Sequence, residues 1–332
     1  MNSRERVLAA LHLQQPDQVP FVDSIDSAIA KKIMGKDEFS KVELARKLHM
    51  DSAYIEDYFP PLFALRQEIG GINEVVGGMI KTEADLAIMK FPDPNDPAFY
   101  DPVKRFVESC KESNLALFAK IRLGAAPTIL SMGFDGFSYA LYDNPRLVET
   151  VLDRFSEWTV RVVEHLNESG LDFLLAADDI AYKTGTMMSP QVFREVFLPP
   201  MKRAADAIKL PWVYHSDGNV MPVIDDLLTL GMNALHPFEP GPMDIAQVKK
   251  DYGNRICLMG NIDLHYTLTM GTPEEVEAEV KQRISEVAPG GGYMLGSANG
   301  IAHYCKPENI IAMAEAVQKY GKYPLDMTAL AT

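Results

Sequence analysis

The stretch at residues 210–240 reads LPWVYHSDGNVMPVIDDLLTLGMNALHPFEP and decides the fold prediction. Two short apolar runs each end in a polar segment, HSDGN at residues 215–219 and HPFEP at residues 236–240. The segment between them, residues 220–230, has apolar residues at helical spacing, and Gly231 is placed to end that helix. Strand, polar loop, helix, strand and polar loop form the repeating unit of a parallel α/β protein.

The same alternation recurs along the chain. Roughly eight apolar runs of strand length are each followed by a helical pattern, which predicts a (β/α)₈ TIM barrel. We expect an N-terminal helix at residues 3–13 with Ser3 as its N-cap, and a first strand at residues 19–22. Residues 61–100 are irregular and are predicted to form an inserted hairpin and lid on a single domain that covers residues 1–332. A doubly wound sheet is the alternative fold.

Composition bounds the classes of function. The chain has 332 residues, 47% of them hydrophobic, and a formal net charge of −14 with a pI near 5.0. This charge disfavours nucleic-acid binding, which requires a basic face. No apolar run reaches membrane-spanning length, and three cysteines without a C-x-x-C pair indicate a reduced, cytoplasmic setting. We therefore expect neither nucleic acid nor a membrane among the partners.

A ring of polar residues is predicted at the mouth of the barrel, because each follows an apolar run by a few positions and ligand sites of such folds gather there. The ring consists of Glu56, Arg122, Asp178, Asp179, His215, Asp217, Glu239, Asn261, Asp263, Ser297 and Asn299. Taken singly, each of these residues is also a common loop former or helix cap. Their number favours a functional site.

His215 is the strongest candidate catalytic residue. An imidazole at a strand end can act as an acid or base or bind a metal, and the alternative is a buried, hydrogen-bonded histidine. His215, Asp217 and Glu239 together form a candidate metal site, with zinc as the candidate ion. A weaker alternative places the metal at His303 and Cys305.

Other members of the ring suit substrate binding. Asp178 and Asp179 follow the most apolar run, and since adjacent strand residues point opposite ways, only one of them faces the mouth. We favour Asp178, as a catalytic carboxylate with a raised pKa. Arg122 is the only arginine of the ring and can hold a carboxylate or a phosphate as a fork. The predicted substrate-binding residues are Arg122, Glu56, Asn261, Asp263, Ser297 and Asn299.

Several motifs together resemble the uroporphyrinogen decarboxylase superfamily. They are DD at residues 178–179, TG at residues 184–185, SPQVFR at residues 189–194, HSDGN at residues 215–219, HP at residues 236–237, GNID at residues 260–263 and GGGY at residues 290–293. The superfamily includes methyltransferases that exchange methyl groups with corrinoid proteins. The resemblance covers most of the chain and implies a (β/α)₈ barrel.

The chain departs from both branches of this superfamily. True uroporphyrinogen decarboxylases have an arginine-rich segment after the first strand, and here residues 23–26 read DSID, which disfavours a substrate with many carboxylates. The thiol-methylating branch binds zinc through His-x-Cys and a distant cysteine. His215 matches that histidine, but Asp217 takes the place of the first cysteine and Ser297 lies near the second.

Our hypothesis is a methyltransferase that moves a methyl group between a small methylated compound, such as an ether or amine, and a corrinoid protein. The corrinoid would be supplied by that partner, zinc is the candidate resident metal, and a homodimer is a candidate assembly. The first alternative is a metal-free decarboxylase of a smaller organic acid, with Arg122 holding the carboxylate and Asp178 donating the proton. The second is a non-catalytic ligand-binding barrel.

Overall fold

The computed structural model describes residues 1–69 and 72–331. The strands are β1 (Ser52–Ile55), β2 (Ala64–Ile69), β3 (Ile72–Gly78), β4 (Ala116–Ile121), β5 (Phe173–Ala177), β6 (Ala181–Tyr182), β7 (Gly185–Thr186), β8 (Trp212–His215), β9 (Ala234–His236), β10 (Cys257–Met259) and β11 (Tyr293–Met294).

Helices cover most of the remaining chain. The α-helices are α1 (Ser3–Leu11), α2 (Ser27–Met34), α3 (Lys41–Lys47), α4 (Asp101–Cys110), α5 (Ala125–Met132), α6 (Phe134–Asp143), α7 (Pro145–Leu166), α8 (Pro190–Val192), α9 (Leu198–Asp206), α10 (Ile224–Leu228), α11 (Ile245–Tyr252), α12 (Pro273–Val287), α13 (Pro307–Tyr320) and α14 (Met327–Ala331). A π-helical turn (Phe193–Phe197) joins α8 to α9, and short 3₁₀ turns cover Glu83–Ile88, Pro97–Tyr100 and Met221–Val223. Within the described ranges, no helix has both the length and the apolar character needed to cross a membrane.

Seven strands form one parallel sheet in the order β1-β4-β5-β8-β9-β10-β11. Every neighbouring pair is parallel, and the strands follow each other in chain order. The predicted parallel α/β architecture is therefore confirmed, and the sheet is TIM-like. A doubly wound sheet reverses its strand order, and this sheet does not, so that alternative is wrong.

The predicted first strand, residues 19–22, is extended but does not form a regular strand. Phe21 makes an isolated parallel bridge to Leu295, just after β11. On its other side, the Phe21 carbonyl accepts a hydrogen bond of 2.8 Å from the Asp51 amide, just before β1. Pro20 lacks an amide donor, which shortens the ladder that this segment can form. The segment thus contacts residues next to both edge strands of the sheet.

Alternate strand residues pack inside the curled sheet, as the two-residue period of a strand requires. Tyr54, Phe118, Phe173 and Val213 belong to one buried cluster. Helix α1 adds Val7, Ala10 and Leu11 to that cluster and so covers the end of the sheet where the strands begin. The structure places the helix cap at Asn2 and not at Ser3, since the Asn2 side chain accepts from the Glu5 amide at 2.9 Å.

The covering helix gives a stability prediction. Leu11 is 1% exposed in the interior cluster, so Leu11→Ala is expected to lower the free energy of unfolding by about 2–4 kcal/mol through lost burial and a new cavity. Leu65 lies on β2 with 54% of its surface exposed, and Leu65→Ala is the matched control with an expected change below about 0.5 kcal/mol. Denaturant titration of both variants tests this, and equal losses would contradict the covering role of α1.

The inserted segment contains the predicted hairpin. Strands β2 and β3 pair antiparallel, while residues 70–71 lie outside the described residues. The hairpin is tied to α5 by a 3.0 Å hydrogen bond from the Ile80 amide to the Ser131 carbonyl. Further along, Trp158 of α7 donates through its indole to the Pro92 carbonyl at 2.9 Å. Residues 61–100 therefore pack on the helical layer, and their role as a lid stays a prediction.

Candidate functional site

Two histidines meet at the ends of neighbouring strands. His215 ends β8 and His236 ends β9, and the parallel register places them side by side. Their Nδ1 atoms lie 2.6 Å apart, and both residues are more than nine-tenths buried. One Nδ1 must donate a hydrogen bond to the other. When His215 is the donor, its Nε2 carries no proton and has a free lone pair. This is the tautomer of histidine that binds a metal through Nε2.

Two carboxylates face His215 Nε2. Asp179 Oδ1 lies 3.6 Å from it and Asp217 Oδ1 lies 3.7 Å from it. The Asp217 amide donates to Asp179 Oδ1 at 3.0 Å, and the Asn299 side chain donates to Asp217 Oδ2 at 2.7 Å. The loops after β5, β8 and β11 therefore hold the acidic groups in place around one imidazole.

The structure corrects the choice between the adjacent aspartates. Asp178 is fully buried and accepts hydrogen bonds from the amides of Leu123, Ala125 and Ala126 at 2.6–3.1 Å, so it caps the start of α5. Asp179 is the one that faces the site. The reason is strand alternation: Asp179 continues the inward-facing series of Phe173 and Leu175, whereas Asp178 points toward the helices.

Burial, with the neighbouring charges, shifts the pKa values of two residues in the cluster. Burial raises the pKa of Asp217 to about 8, and repulsion from Asp179 and Glu239 adds to that shift. Burial lowers the pKa of His215, so the imidazole is held neutral at neutral pH. A neutral imidazole beside crowded carboxylates is an arrangement that a cation stabilises.

The donor set fits a divalent metal. Among the residues that the structure describes, Asp179, His215 and Asp217 form the one group of three ligand side chains whose donor atoms all lie within 4.8 Å of one another. Asp217 Oδ1 is buried and has no hydrogen-bond partner, which leaves it free for a ligand. Nitrogen and carboxylate donors suit zinc, although the thiolates typical of structural zinc sites are absent. His303 and Cys305 are not in this group.

Glu239 takes a different place from the one predicted. Its Oε2 accepts a hydrogen bond of 2.7 Å from the Gly218 amide, so it holds the loop that carries Asp217. The structure thus groups Asp179, in place of Glu239, with His215 and Asp217. Gly218 has a φ of +80°, and a Cβ there would lie 2.5 Å from the Tyr182 carbonyl oxygen, so only glycine fits this loop.

A pocket of about 380 Å³ opens next to the cluster. Asp217, Glu239, Asp263 and Asn299 are among its lining residues. Asn261 lies deeper: its amide group donates to the Phe238 carbonyl at 2.6 Å, and its Oδ1 is buried without a partner. Of the predicted substrate-binding residues, Asp263 and Asn299 therefore line this pocket in the structure.

Ser297 serves the fold in this structure. Asp23, which is 1% exposed, accepts hydrogen bonds from the Ser297 amide at 2.6 Å and from its hydroxyl at 3.2 Å. This contact ties the segment at residues 19–22 to the loop after β11. Burial raises the pKa of Asp23 to about 7, far above its ordinary value of 3.8.

A pH-dependent stability follows from Asp23. Because the folded pKa is raised, the neutral carboxyl is favoured in the fold, and this contribution to stability is lost as pH rises from about 4 to about 7. Between pH 5 and 8 we expect the wild type to lose roughly 2–3 kcal/mol of unfolding free energy that Asp23→Asn does not lose, most of it below pH 7. Denaturant unfolding of both proteins at pH 5 and pH 8 measures it. Parallel pH curves would contradict a buried, neutral Asp23.

Two positively charged side chains, Lys120 in β4 and Arg122 just after it, lie near the site. Lys120 forms an ion pair with Glu56, and its ammonium lies 4.8 Å from the centre of the Tyr54 ring. Arg122 follows two residues later, with its guanidinium carbon 4.7 Å from the centre of the Phe59 ring. The charges of Lys120 and Arg122 both act to lower the pKa of His215, which places them within electrostatic reach of the cluster.

His236 is the residue of the site that was not predicted from the sequence, and Asp179 was predicted only as a member of the polar ring. His236 lies in the HPFEP segment and had no predicted role, although it follows an apolar run as His215 does. For the adjacent aspartates, the prediction favoured Asp178 over Asp179. Counting alternate positions back along the apolar run would have shown that Asp179, and not Asp178, shares a face with Phe173.

Comparisons with known proteins agree with this architecture. The profile of the family described as "Uroporphyrinogen decarboxylase (URO-D)" matches residues 71–320. "Methylcobamide:CoM methyltransferase MtaA" of Methanosarcina barkeri is 30% identical over 174 residues, which is 52% of this chain and 49% of that protein. The chain thus spans about half the length of this relative. A protein of Shewanella piezotolerans named "Uroporphyrinogen decarboxylase" is 23% identical over 252 residues, 70% of this chain and 67% of that one.

A solved structure shares the fold. The structure described as "methyltransferase from Methanosarcina mazei" superposes with a TM-score of 0.75 at 21% identity, covering 96% of this chain and 99% of that one. The family profile covers well over half of the chain, and the predicted resemblance is therefore confirmed: this protein belongs to the uroporphyrinogen decarboxylase (URO-D) family.

Proposed function

We propose that this protein is a corrinoid-dependent methyltransferase that moves a methyl group between the heteroatom of a small methylated compound and a separate corrinoid protein. The cluster of Asp179, His215 and Asp217 at the ends of β5 and β8 is the observation that carries the proposal. The similarity to the Methanosarcina barkeri methyltransferase supports the reaction class. We also interpret the sheet as a (β/α)₈ barrel in which residues 19–22 take the eighth position.

The cluster suits a reaction in which an oxygen or nitrogen must leave its methyl group. As the bond between the heteroatom and the methyl carbon breaks, electrons stay on the heteroatom, and a proton or a cation there lowers the barrier. With no cation bound, Asp217 has a pKa of about 8, carries a proton at neutral pH and can supply it, whereas with a metal bound it would be an ionised ligand. His215 receives a hydrogen bond from His236 or donates one to it, and this contact fixes the direction of its Nε2.

Asp179, His215 and Asp217 would hold a metal ion, with zinc as the candidate. Such an ion supplies Lewis-acid stabilisation of negative charge on the leaving atom. Asn299 orients Asp217 through its 2.7 Å hydrogen bond, and Glu239 holds the same loop from the backbone side. The pocket lined by Asp263 and Asn299 gives a small substrate room beside these groups.

The proposal is tested with purified protein, a reduced corrinoid protein and a panel of methyl ethers and methylamines. Methyl transfer that falls strongly in Asp217→Asn but not in Asp225→Asn, an exposed aspartate paired with Arg255, supports it. Release of carbon dioxide from small organic acids without any corrinoid protein would select the decarboxylase alternative. Ligand binding with no turnover of either kind would select the binding barrel.

A further inference from the structure

Arg122 is a partly buried cation, and two of its hydrogen-bond donors are buried and unused. Its Nε and Nη1 atoms are shielded from solvent and have no hydrogen-bond partner. Burial lowers the pKa of its guanidinium, as expected for a charge removed from water. A buried guanidinium without acceptors costs stability, and a fold retains such a group where a ligand supplies the acceptors.

The nearby carboxylates do not accept from Arg122. Asp178 and Asp179 attract its charge, but Asp178 accepts from backbone amides at the start of α5, and Asp179 accepts from the Asp217 amide beside His215. Lys120, the other cation of β4 at this mouth, is already paired with Glu56. Arg122 is therefore a cation on this side whose buried donors remain available to an anion.

The geometry around Arg122 suits a planar anion. Phe59 covers one face of the guanidinium, with 4.7 Å from its carbon to the ring centre, so the donors at the edge remain for a ligand. Edge donors in a fixed fork match the two oxygens of a carboxylate. With a net charge of −14, the protein attracts an anionic substrate only through such a local positive group.

We infer that Arg122 binds the carboxylate of an acidic substrate and so turns the opposite end of that molecule toward Asp179, His215 and Asp217. That the opposite end carries the methyl group rests on the proposed function. The mouth is bipolar, with Arg122 and Lys120 of the β4 side facing the acidic cluster of β5 and β8. The substrate class is thus a small methylated carboxylic acid.

The test uses thermal shift and calorimetry with 4-methoxybenzoate and methoxyacetate, each beside its neutral primary amide. We expect the acids to raise the melting temperature of the wild type and to bind at least about tenfold more tightly than the amides. Arg122→Met should remove this preference, whereas Arg46→Met, which changes an exposed arginine of α3, should keep it. Failure of every acid to protect the wild type, or equal binding of acid and amide, overturns the inference.

Two further measurements distinguish a ligand-binding Arg122 from a structural one, and a carboxylate site from a general anion site. Without ligand, Arg122→Met should melt at a higher temperature than the wild type, because it removes buried donors that have no acceptor, and a lower melting temperature would show a structural role instead. Sulfate that protects as well as the acids would overturn the assignment to carboxylates. Acid binding with no methyl transfer would remove the proposed function and leave the Arg122 site standing, since these assays contain no corrinoid protein.

Discussion

His215→Ala is expected to abolish both metal binding and methyl transfer. Metal content of the purified protein should fall from about one ion per chain to below about 0.1, since the imidazole is the one nitrogen donor of the cluster. Methyl transfer should fall roughly 10²–10⁴-fold, the range usual for loss of a positioned acid, base or ligand group. Elemental mass spectrometry and a methyl-transfer assay on the same preparations measure the two quantities.

The control for this substitution is His303→Ala. His303 is exposed and lies on the wall of a neighbouring cavity of about 760 Å³ near α2 and α3, outside the cluster of ligand side chains, so its removal should leave the metal content unchanged. It also tests the alternative metal site at His303 and Cys305. A full metal content in His215→Ala that disappears in His303→Ala would move the site there. No metal in any of the preparations would leave His215 as an acid–base or binding residue.

The parallel α/β architecture could be predicted from the sequence because the local patterns of apolar residues and glycines agreed with the fold. The runs that end at His215 and His236 became neighbouring parallel strands, and Gly231 follows the short α10 as a helix terminator would. The segment at residues 19–22 is the exception. Its apolar pattern is that of a strand, but pairing depends on partners almost the whole chain away, such as Leu295, and on a proline that removes one donor.

The site was harder to predict because it depends on which way each side chain points. Glu239 follows a strand as Asp217 does, yet Phe238 just before it has a left-handed backbone conformation, and the Glu239 carboxylate meets the Gly218 amide. Such turns are not visible in a residue pattern. Asp178 and Asp179 are adjacent, so their side chains lie on opposite faces of the strand. One carboxylate therefore caps a helix while the other lies in the site.

The adjacent aspartates give the sharpest separation of function from stability. Asp178→Ala is expected to lower the free energy of unfolding by roughly 2–4 kcal/mol, because it leaves the buried amides of Leu123, Ala125 and Ala126 without an acceptor. Asp179→Ala should cost less than about 1 kcal/mol, since its side chain is 42% exposed. Denaturant titration at pH 7.5, where the Asp178 carboxyl with its pKa of about 6 is ionised, compares them.

Metal content and methyl transfer should show the opposite order, with the larger loss in Asp179→Ala. Asp179→Ala removes a carboxylate 3.6 Å from His215 Nε2 and is expected to lose metal and methyl transfer while staying folded. Asp178→Ala, assayed well below its melting temperature, should keep its metal because no Asp178 oxygen belongs to the cluster. Each residue is thus the control for the other. A stable but inactive, metal-free Asp178→Ala together with a fully active Asp179→Ala would restore Asp178 as the catalytic carboxylate and refute the site described above.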